Sequence, residues 1–414
     1  MTAPKLAVIG ASHFQLPLIE KAREMGCEVH AFAWECGDVG ESVADVFHPV
    51  SIVDVDQIVD ECREVGIDGI CTIASDLATL AVNHVASELG LIGNTLECTG
   101  VSTNKHLMRR AFAQAGDPSP RSLSVGLSGG VVDADILLRE EDVSVFDPTE
   151  HGLSYPLIVK HVDRSGSRGV TKLESPDVPI TPGEALQLAF DQGFEAQAVV
   201  EEFAYGDEFS GEGMSWKGTH RILAITRKGT TGAPHFIETA HLQPSGLDEE
   251  TSERICKVAA HALDTLGIEY GASHSELKVA PDGTIRIIEI GARMGGDCIG
   301  SHLVPLSTGI DFTRAVVDVA LGNEPDLNPK REPAAAAIRF LFNNDDRKIL
   351  EHVKRKHPEL LRYELMTVEP GEEHVVSDSS TRLGHFILSA PTVEGLAAYL
   401  PRELAVTHDE DTAS

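Results

Sequence analysis

A chain of 414 residues, 42% of them hydrophobic, is long enough for about two to four sub-domains and carries no long apolar run. Thirty-four basic against 65 acidic residues give a formal charge of -31, which repels phosphate backbones and anionic bilayers and so argues against nucleic-acid partners, a local basic patch aside, and against membrane partners. Seven scattered cysteines without a C-x-x-C pair exclude the common zinc and disulfide frameworks. The N-terminus runs straight into a strand and lacks the basic head and apolar core of a secretory signal, so a reducing cytoplasm is expected.

Lys5 to Gly10 predicts a buried strand, Leu16 to Met25 a helix closed by Gly26, and Glu28 to Ala33 a second strand. The pattern continues through a helix from Val55 to Val65, a strand from Gly69 to Ile73 and a helix from Ala78 to Leu89, which is the order of a parallel sheet. The first turn, Gly10 to Gln15, lacks the second and third glycines that let a pyrophosphate rest on the following helix.

Thr99 to Gly116 reads as helical, with Asn104 and Lys105 near its start, and Asp117 to Pro120 breaks it. Gly126 to Glu150 has little periodicity and is expected to be an irregular, exposed excursion. Tyr155 to Lys160 is a short buried strand that ends in a lysine. Behind it stands Arg164, Ser165, Gly166, Ser167, Arg168, Gly169, a loop whose glycines allow backbone N–H groups to converge beside two guanidinium groups, as suits an oligophosphate. It is not a P-loop, because no G-x-x-x-x-G-K-[ST] occurs. A helix from Pro182 to Phe190 leads to the strand Ala198 to Phe203, whose Glu201 and Glu202 read by spacing alone as surface acids. Short antiparallel strands are expected at Glu212 to Trp216, Ile222 to Arg227 and His235 to Glu238. His241 to Ser245 then reads as mostly loop and Thr251 to Leu266 as an amphipathic helix.

The most informative stretch is the pair of strands joined by Pro281, Asp282 and Gly283. The first carries His274 and Glu276, and the second alternates apolar residues from Ile285 to Ile290 and delivers Glu289 at its end. As a hairpin, this places Glu276 and Glu289 on the same side. Two adjacent carboxylates repel unless they share a proton or a cation, and with Arg293, Gly295, Gly296 and Asp297 just behind, a hard Mg²⁺ carrying phosphates is the better match. The last part reads as a helix at Asp311 to Leu321, a polar linker at Asn323 to Glu332, strands at Ala335 to Phe342 and His385 to Ala390, and helices at Arg347 to Lys356 and Thr392 to Tyr399.

Taken in order, Asn104-Lys105, Lys160, the loop from Ser165 to Gly169, the strand from Val199 to Phe203 with Glu208 behind it, Glu276, and Glu289-x-x-x-Arg293 resemble the ATP-grasp superfamily over nearly the whole chain. Within it the pattern looks most like the carboxylate–amine ligases of the amino acid ligase kind, with a more distant likeness to biotin carboxylase and carbamoyl phosphate synthetase. The resemblance implies an α/β and α+β architecture: a Rossmann-like domain over 1–100, an ATP-grasp lid with its connecting helix over 101–205, a catalytic lobe over 206–325 and a C-terminal α+β subdomain over 333–414. It implies that Lys105 and Lys160 contact the phosphates of ATP and that Ser165, Gly166, Ser167, Arg168 and Gly169 fold over them. Glu201, Glu202 and Phe203 would line the adenine, Phe203 by its backbone and Glu201 by accepting from the amino group, and Glu208 would bind the ribose hydroxyls. Glu276 and Glu289 would hold two Mg²⁺ ions, or Mn²⁺ in their place, with Glu289 bridging them. Arg293, together with Lys160, would serve catalysis at the transferred phosphoryl group. One residue departs from the family's Glu-x-Asn-x-Arg: Gly291 stands where the Asn belongs, which leaves the third metal ligand to water or to Asp297.

The resemblance implies an ATP-dependent ligase that activates a carboxylate as an acyl phosphate and joins it to an amine, with an amino acid as substrate. An ATP-grasp carboxylase or formyl-transfer type of ligase is the alternative with the same site, and a nucleotide-binding protein without catalysis is the alternative from another class. No Met-Lys-Met biotin attachment site is present. The small-molecule acid and amine should meet between the first domain and the Arg293 loop, where Ser75, Asp76, His241, His274, Gly295, Gly296 and Asp297 are the candidates to read them. Asp76 reads equally as a helix cap and His241 as a solvated loop residue. A homodimer is a further expectation.

Overall fold

The computed structural model describes residues 3–130, 133–164, 169–176, 179–368 and 375–404. Strands β1 (Lys5–Ile9), β2 (Glu28–Phe32), β3 (Val46–His48) and β4 (Gly69–Cys71) form a parallel sheet in the order β3-β2-β1-β4. Apolar runs such as Leu6 to Ile9 are buried throughout, as strands covered on both faces require. The first turn is filled from within. Gly10 has φ +100°, and the Gln15 side chain folds under it to donate from Nε2 to the Ile73 carbonyl at 2.7 Å.

The stretch expected as one helix from Thr99 to Gly116 is two, Leu96–Thr103 and Lys105–Ala115. Asn104 separates them in extended conformation and caps the second, its side-chain oxygen accepting from the backbone N–H of His106 and Leu107. Lys105 is thereby set at the first helical position, pointing back toward the site.

The next unit is a five-stranded sheet in the order β6-β5-β9-β7-β8, made of β5 (Ser122–Leu127), β6 (Ile136–Leu138), β7 (Leu157–His161), β8 (Thr171–Leu173) and β9 (Gln197–Glu202). The excursion from Gly126 to Glu150 supplies β6 and two 3₁₀ turns, Glu140–Val145 and Pro148–His151. This unit has its own core, in which Val125, Leu157, Val159 and Val200 pack on Leu186 and Ala189 of the helix Pro182–Gln192.

An eight-stranded antiparallel sheet takes up the rest. Its strands are β10 (Asp207–Trp216), β11 (Thr219–Thr230), β12 (Glu238–Gln243), β13 (Gly271–Val279), β14 (Ile285–Gly291), β15 (Ala335–Leu341), β16 (Leu361–Met366) and β17 (Gly384–Ala390), in the order β14-β13-β10-β11-β12-β15-β17-β16. β15 pairs with β12, Leu242 opposite Ala337, so one sheet runs through the boundary expected between 325 and 333. Three local expectations are corrected. His241 to Gln243 belong to a strand rather than a loop, and Pro244, which has no N–H to donate, stands just after its end. The strand expected from His235 begins only at Glu238. Thr392 to Tyr399 is two 3₁₀ turns, Val393–Gly395 and Ala397–Tyr399, in place of a helix.

The Rossmann-like domain is docked on the large sheet by a shared core, in which Leu6, Val8 and Leu18 lie with Met214, Ala272, Met294 and Phe312. Ile73 forms a parallel bridge to Met294, and the backbone N–H of Ala74 donates to the Met294 carbonyl at 3.1 Å. No helix among the described residues is long and apolar enough to cross a membrane. All seven cysteines are unpaired.

Candidate active site

The period-2 alternation of β13 and β14 brings Glu276 directly opposite Glu289 on the face that lines a cavity of about 290 Å³. The hairpin predicted from the Pro281 to Gly283 turn is present. Around the two acids stand four cations from four distant parts of the chain. Lys228, almost wholly buried on β11, places Nζ 2.5 Å from Glu276 Oε1, 3.1 Å from Glu208 Oε1 and 3.8 Å from Glu238 Oε1. Burial alone would lower its pKa, yet these three acids hold it well above the ordinary lysine value. Burial likewise raises the pKa of Glu276, and Lys228 and His274 more than reverse that, keeping it a carboxylate far below the usual range.

Lys105 lies 3.0 Å from Glu289 Oε1 and donates to the Arg164 carbonyl at 2.6 Å. Lys160, the penultimate residue of the buried strand β7, is 2.6 Å from Glu201 Oε1. Burial lowers its pKa, which Glu201 opposes. Arg109 holds the other oxygen of Glu201 at 2.8 Å and donates from a second nitrogen to the Ile288 carbonyl at 2.6 Å, tying the five-stranded sheet to the residue before Glu289. Glu201 is therefore a buried partner of two cations rather than a surface acid, and despite the burial that would raise it, its pKa is lowered to about 2. Glu202, its neighbour on β9, accepts instead from the backbone N–H of Ser154 at 3.1 Å and is not part of the cavity wall. Phe203 lines the cavity, with Lys172 Nζ 4.0 Å above its ring.

Arg293 is held by Asp76 at 2.7 Å across the seam between the first domain and the large sheet. Burial opposes the charge of Arg293, and Asp76 more than offsets it. Ser75, not Asp76, caps the helix Asp76–Leu89, its hydroxyl accepting from Ala78 N–H at 3.2 Å. At Gly291, where the resemblance implies an Asn, a side chain has little room. A Cβ there would stand 2.6 Å from Asp76 Oδ1 and 3.1 Å from Arg293 Cζ, so the acid–arginine pair occupies the room an Asn side chain needs.

Asp297 is not free to complete a metal site. Its two oxygens are 2.7 and 3.0 Å from Arg382, and His241 Nε2 lies 3.6 Å away. Its φ of +51°, with +60° at Cys298, is a left-handed conformation unusual for residues with a Cβ. His241 is buried in β12, where its ring meets Phe340 edge to face, so the solvated alternative is excluded. Gly296 lies against Ala74, and Gly295 sits over Glu212 and His274, whose atoms would be 2.7 and 2.8 Å from a Cβ there. Gly169, at φ +62°, is outside the cavity wall. Ser165, Gly166, Ser167 and Arg168 lie outside the described residues.

Lys228, Arg109, Glu238, Glu212 and Arg382 were not singled out in the sequence. For Lys228 a signal existed: continuing the alternation of Ile222 to Arg227 by one residue places the lysine in the strand.

Residues 153–301 match the sequence model of the ATP-grasp domain. Alanine–anticapsin ligase of Bacillus subtilis is 27% identical over 340 residues, which cover 74% of this chain and 68% of that protein. D-alanine–D-alanine ligase of Cupriavidus taiwanensis is 26% identical over 280 residues, 64% of this chain and 81% of the relative. The solved structure of an L-amino acid ligase from Bacillus licheniformis superposes with a TM-score of 0.77 at 25% identity, covering 98% of this chain and 97% of that one.

ATP-grasp ligases use Mg²⁺, and the residues present fit it. Glu276 gives Oε1 to Lys228 and His274, and Glu289 gives Oε1 to Lys105, while Oε2 of each accepts no hydrogen bond among the described residues. Two carboxylates of hard oxygen donors at one cross-strand position are the protein share typical of Mg²⁺, which takes its other ligands from phosphates and water.

Proposed function

We propose that this chain is an ATP-dependent ligase that converts a carboxylate to an acyl phosphate and joins it to an amine, with an amino acid among its substrates. The observation that carries this is the cross-strand pair Glu276 and Glu289 set in one cavity with Lys105, Lys160, Lys228 and Arg293. A free carboxylate does not acylate an amine because oxide would have to leave. Phosphorylation supplies a leaving group. That step brings two anions together, and Mg²⁺, when bound at Glu276 and Glu289, neutralises part of their charge. Lys105 and Lys160 bind phosphate oxygens. Arg293, aimed by Asp76, stabilises the oxyanion formed when the amine attacks. The docking of Ala74 on Met294 and Gly296 closes the first domain over this point and keeps out water, which would otherwise hydrolyse the intermediate. The names of the relatives support an amino acid as the acid, the amine or both.

The test is isotopic. Pooled amino acids, with bicarbonate and formate as separate arms, identify the acid by ATP-dependent phosphate release, and the acid is then labelled with oxygen-18 in its carboxylate. The expected products are ADP and phosphate carrying one labelled oxygen per turnover, absent with Glu289→Gln. AMP, or unlabelled phosphate, overturns the acyl phosphate, and turnover with bicarbonate or formate alone points to the carboxylase or formyl-transfer type instead.

A further inference from the structure

Behind the paired carboxylates lies a buried acid that the reaction as described does not use. Glu212 is on β10, opposite His274 of β13, and is wholly buried. Its Oε1 accepts from the Ser210 hydroxyl at 2.9 Å and faces His274 Nδ1 at 2.7 Å. The other nitrogen of that ring, Nε2, is 3.2 Å from Glu276 Oε1. Glu212 Oε2 has no hydrogen-bond partner, which is a costly state for a buried carboxylate oxygen. Gly295, from the loop behind Arg293, covers the pair so closely that no Cβ fits there. A buried acid that gives one oxygen to a histidine, which in turn serves a ligand carboxylate, is the arrangement that orients metal ligands from behind.

We propose that Glu212 is a positioning residue for Glu276. By holding His274 Nδ1 it fixes the ring so that Nε2–H points at Glu276 Oε1. With Lys228 on the same oxygen, the carboxylate cannot rotate, and Oε2 is the oxygen turned to a divalent cation. Ser210 sets the acceptor, and the cover by Gly295 keeps water from competing for Nδ1. This rests on Glu276 being a metal ligand, so the experiment separates the two claims.

Mn²⁺ binding in the presence of ADP is measured by electron paramagnetic resonance on the full chain. Absence of Mn²⁺ binding by the wild-type protein overturns the metal site itself, and with it this proposal. Where the wild type binds, Glu212→Leu raises the Mn²⁺ dissociation constant about 10- to 100-fold. Glu212→Gln, which keeps an acceptor for Nδ1–H, recovers most of that loss. The double variant Glu212→Leu with His274→Gln binds no more weakly than His274→Gln alone, because the effect passes through the ring. Should Glu212→Leu fail to fold, Glu212→Asp draws the acceptor back by one methylene while keeping the charge, and is expected to lose affinity in the same direction. Mn²⁺ affinity within twofold of wild type in the leucine or aspartate variant, or additive losses in the double variant, overturns the positioning role.

Discussion

At Gly291 a side chain and the Asp76–Arg293 pair would compete for one small volume. The missing side chain makes room for Asp76 to reach Arg293, so the glycine belongs to the arginine's support as much as to the metal site. Restoring the family's residue with Gly291→Asn is therefore expected to harm. Forcing a side chain into this contact costs about 1–3 kcal/mol and displaces the guanidinium, for which a loss of turnover on the order of 100-fold is expected. Phosphate release under saturating Mg²⁺ checks it, and equal or faster turnover would show that the metal ligand, not the arginine, is limiting. Glu201 offers a second test. Its folded pKa is depressed to about 2, against an ordinary value of 4.5: burial pushes it up, and Arg109 and Lys160 pull it further down. A depressed acid stabilises the fold above its unfolded pKa and loses that contribution as pH falls through the folded one. The urea midpoint should thus drop between pH 4.5 and 2 in the wild type and change less in Glu201→Gln, which starts lower because two buried cations lose their counter-charge. Parallel curves for the two proteins would remove Glu201 from the acid response. Glu289 and Arg293 could be picked from the chain by spacing, because one lies in the last residues of a strand and the other just beyond its end. The importance of Glu201 could not, since two adjacent acids on a strand face opposite ways and only the fold says which is buried.

Among the elements, β12 and β15 join what reads in the sequence as a lobe and an appended subdomain. Ala240 to Gln243 pair with Ala336 to Arg339, and Ala240 and Leu242 pack in one core with Ala335, Leu350, Phe386 and Leu388. A chain ended after Lys330 would leave β12 as an open edge with an apolar face. It would also lack Arg382, the bidentate partner of Asp297. The truncated protein is expected to aggregate or to be cut rapidly by protease. A soluble 1–330 fragment with native-like circular dichroism and proteolytic resistance would show that the lobe is independent. The hairpin β13–β14 was legible because its turn, its alternation and its acids all lie within a short run of chain. β12 reads in the sequence as a loop because Pro244 and Gly246 close behind it signal a turn, and only pairing with β11 and β15 outweighs that local preference.

The molecule as a whole holds two kinds of core. That of the five-stranded unit, expected from the sequence as the lid, is drawn from residues Leu123 to Val200, whereas the main one mixes the first domain with Met214 and Ala272 of the large sheet, Met294 just behind it and Phe312 of a following helix. Calorimetry without nucleotide should therefore resolve the lid from the rest. Leu157→Ala, at the lid's centre, should lower the lid transition by about 2–5 kcal/mol and leave the other in place, while Met294→Ala should do the reverse. One transition moved equally by both substitutions would mean that the lid and the main body unfold together. What the chain determined by itself is what depends on neighbours: the parallel βαβ opening, the acid-bearing hairpin, the strand-final Lys160, and the order of these motifs along the chain. What only the tertiary structure decided is which charges meet. Lys228 reaches Glu276, Arg109 reaches Glu201, Asp76 reaches Arg293 and Arg382 reaches Asp297. These partners lie tens to hundreds of residues apart, and strand order and domain docking bring them together. The strength of each pair comes from burial, which shared cores create and which periodicity along a single segment does not encode.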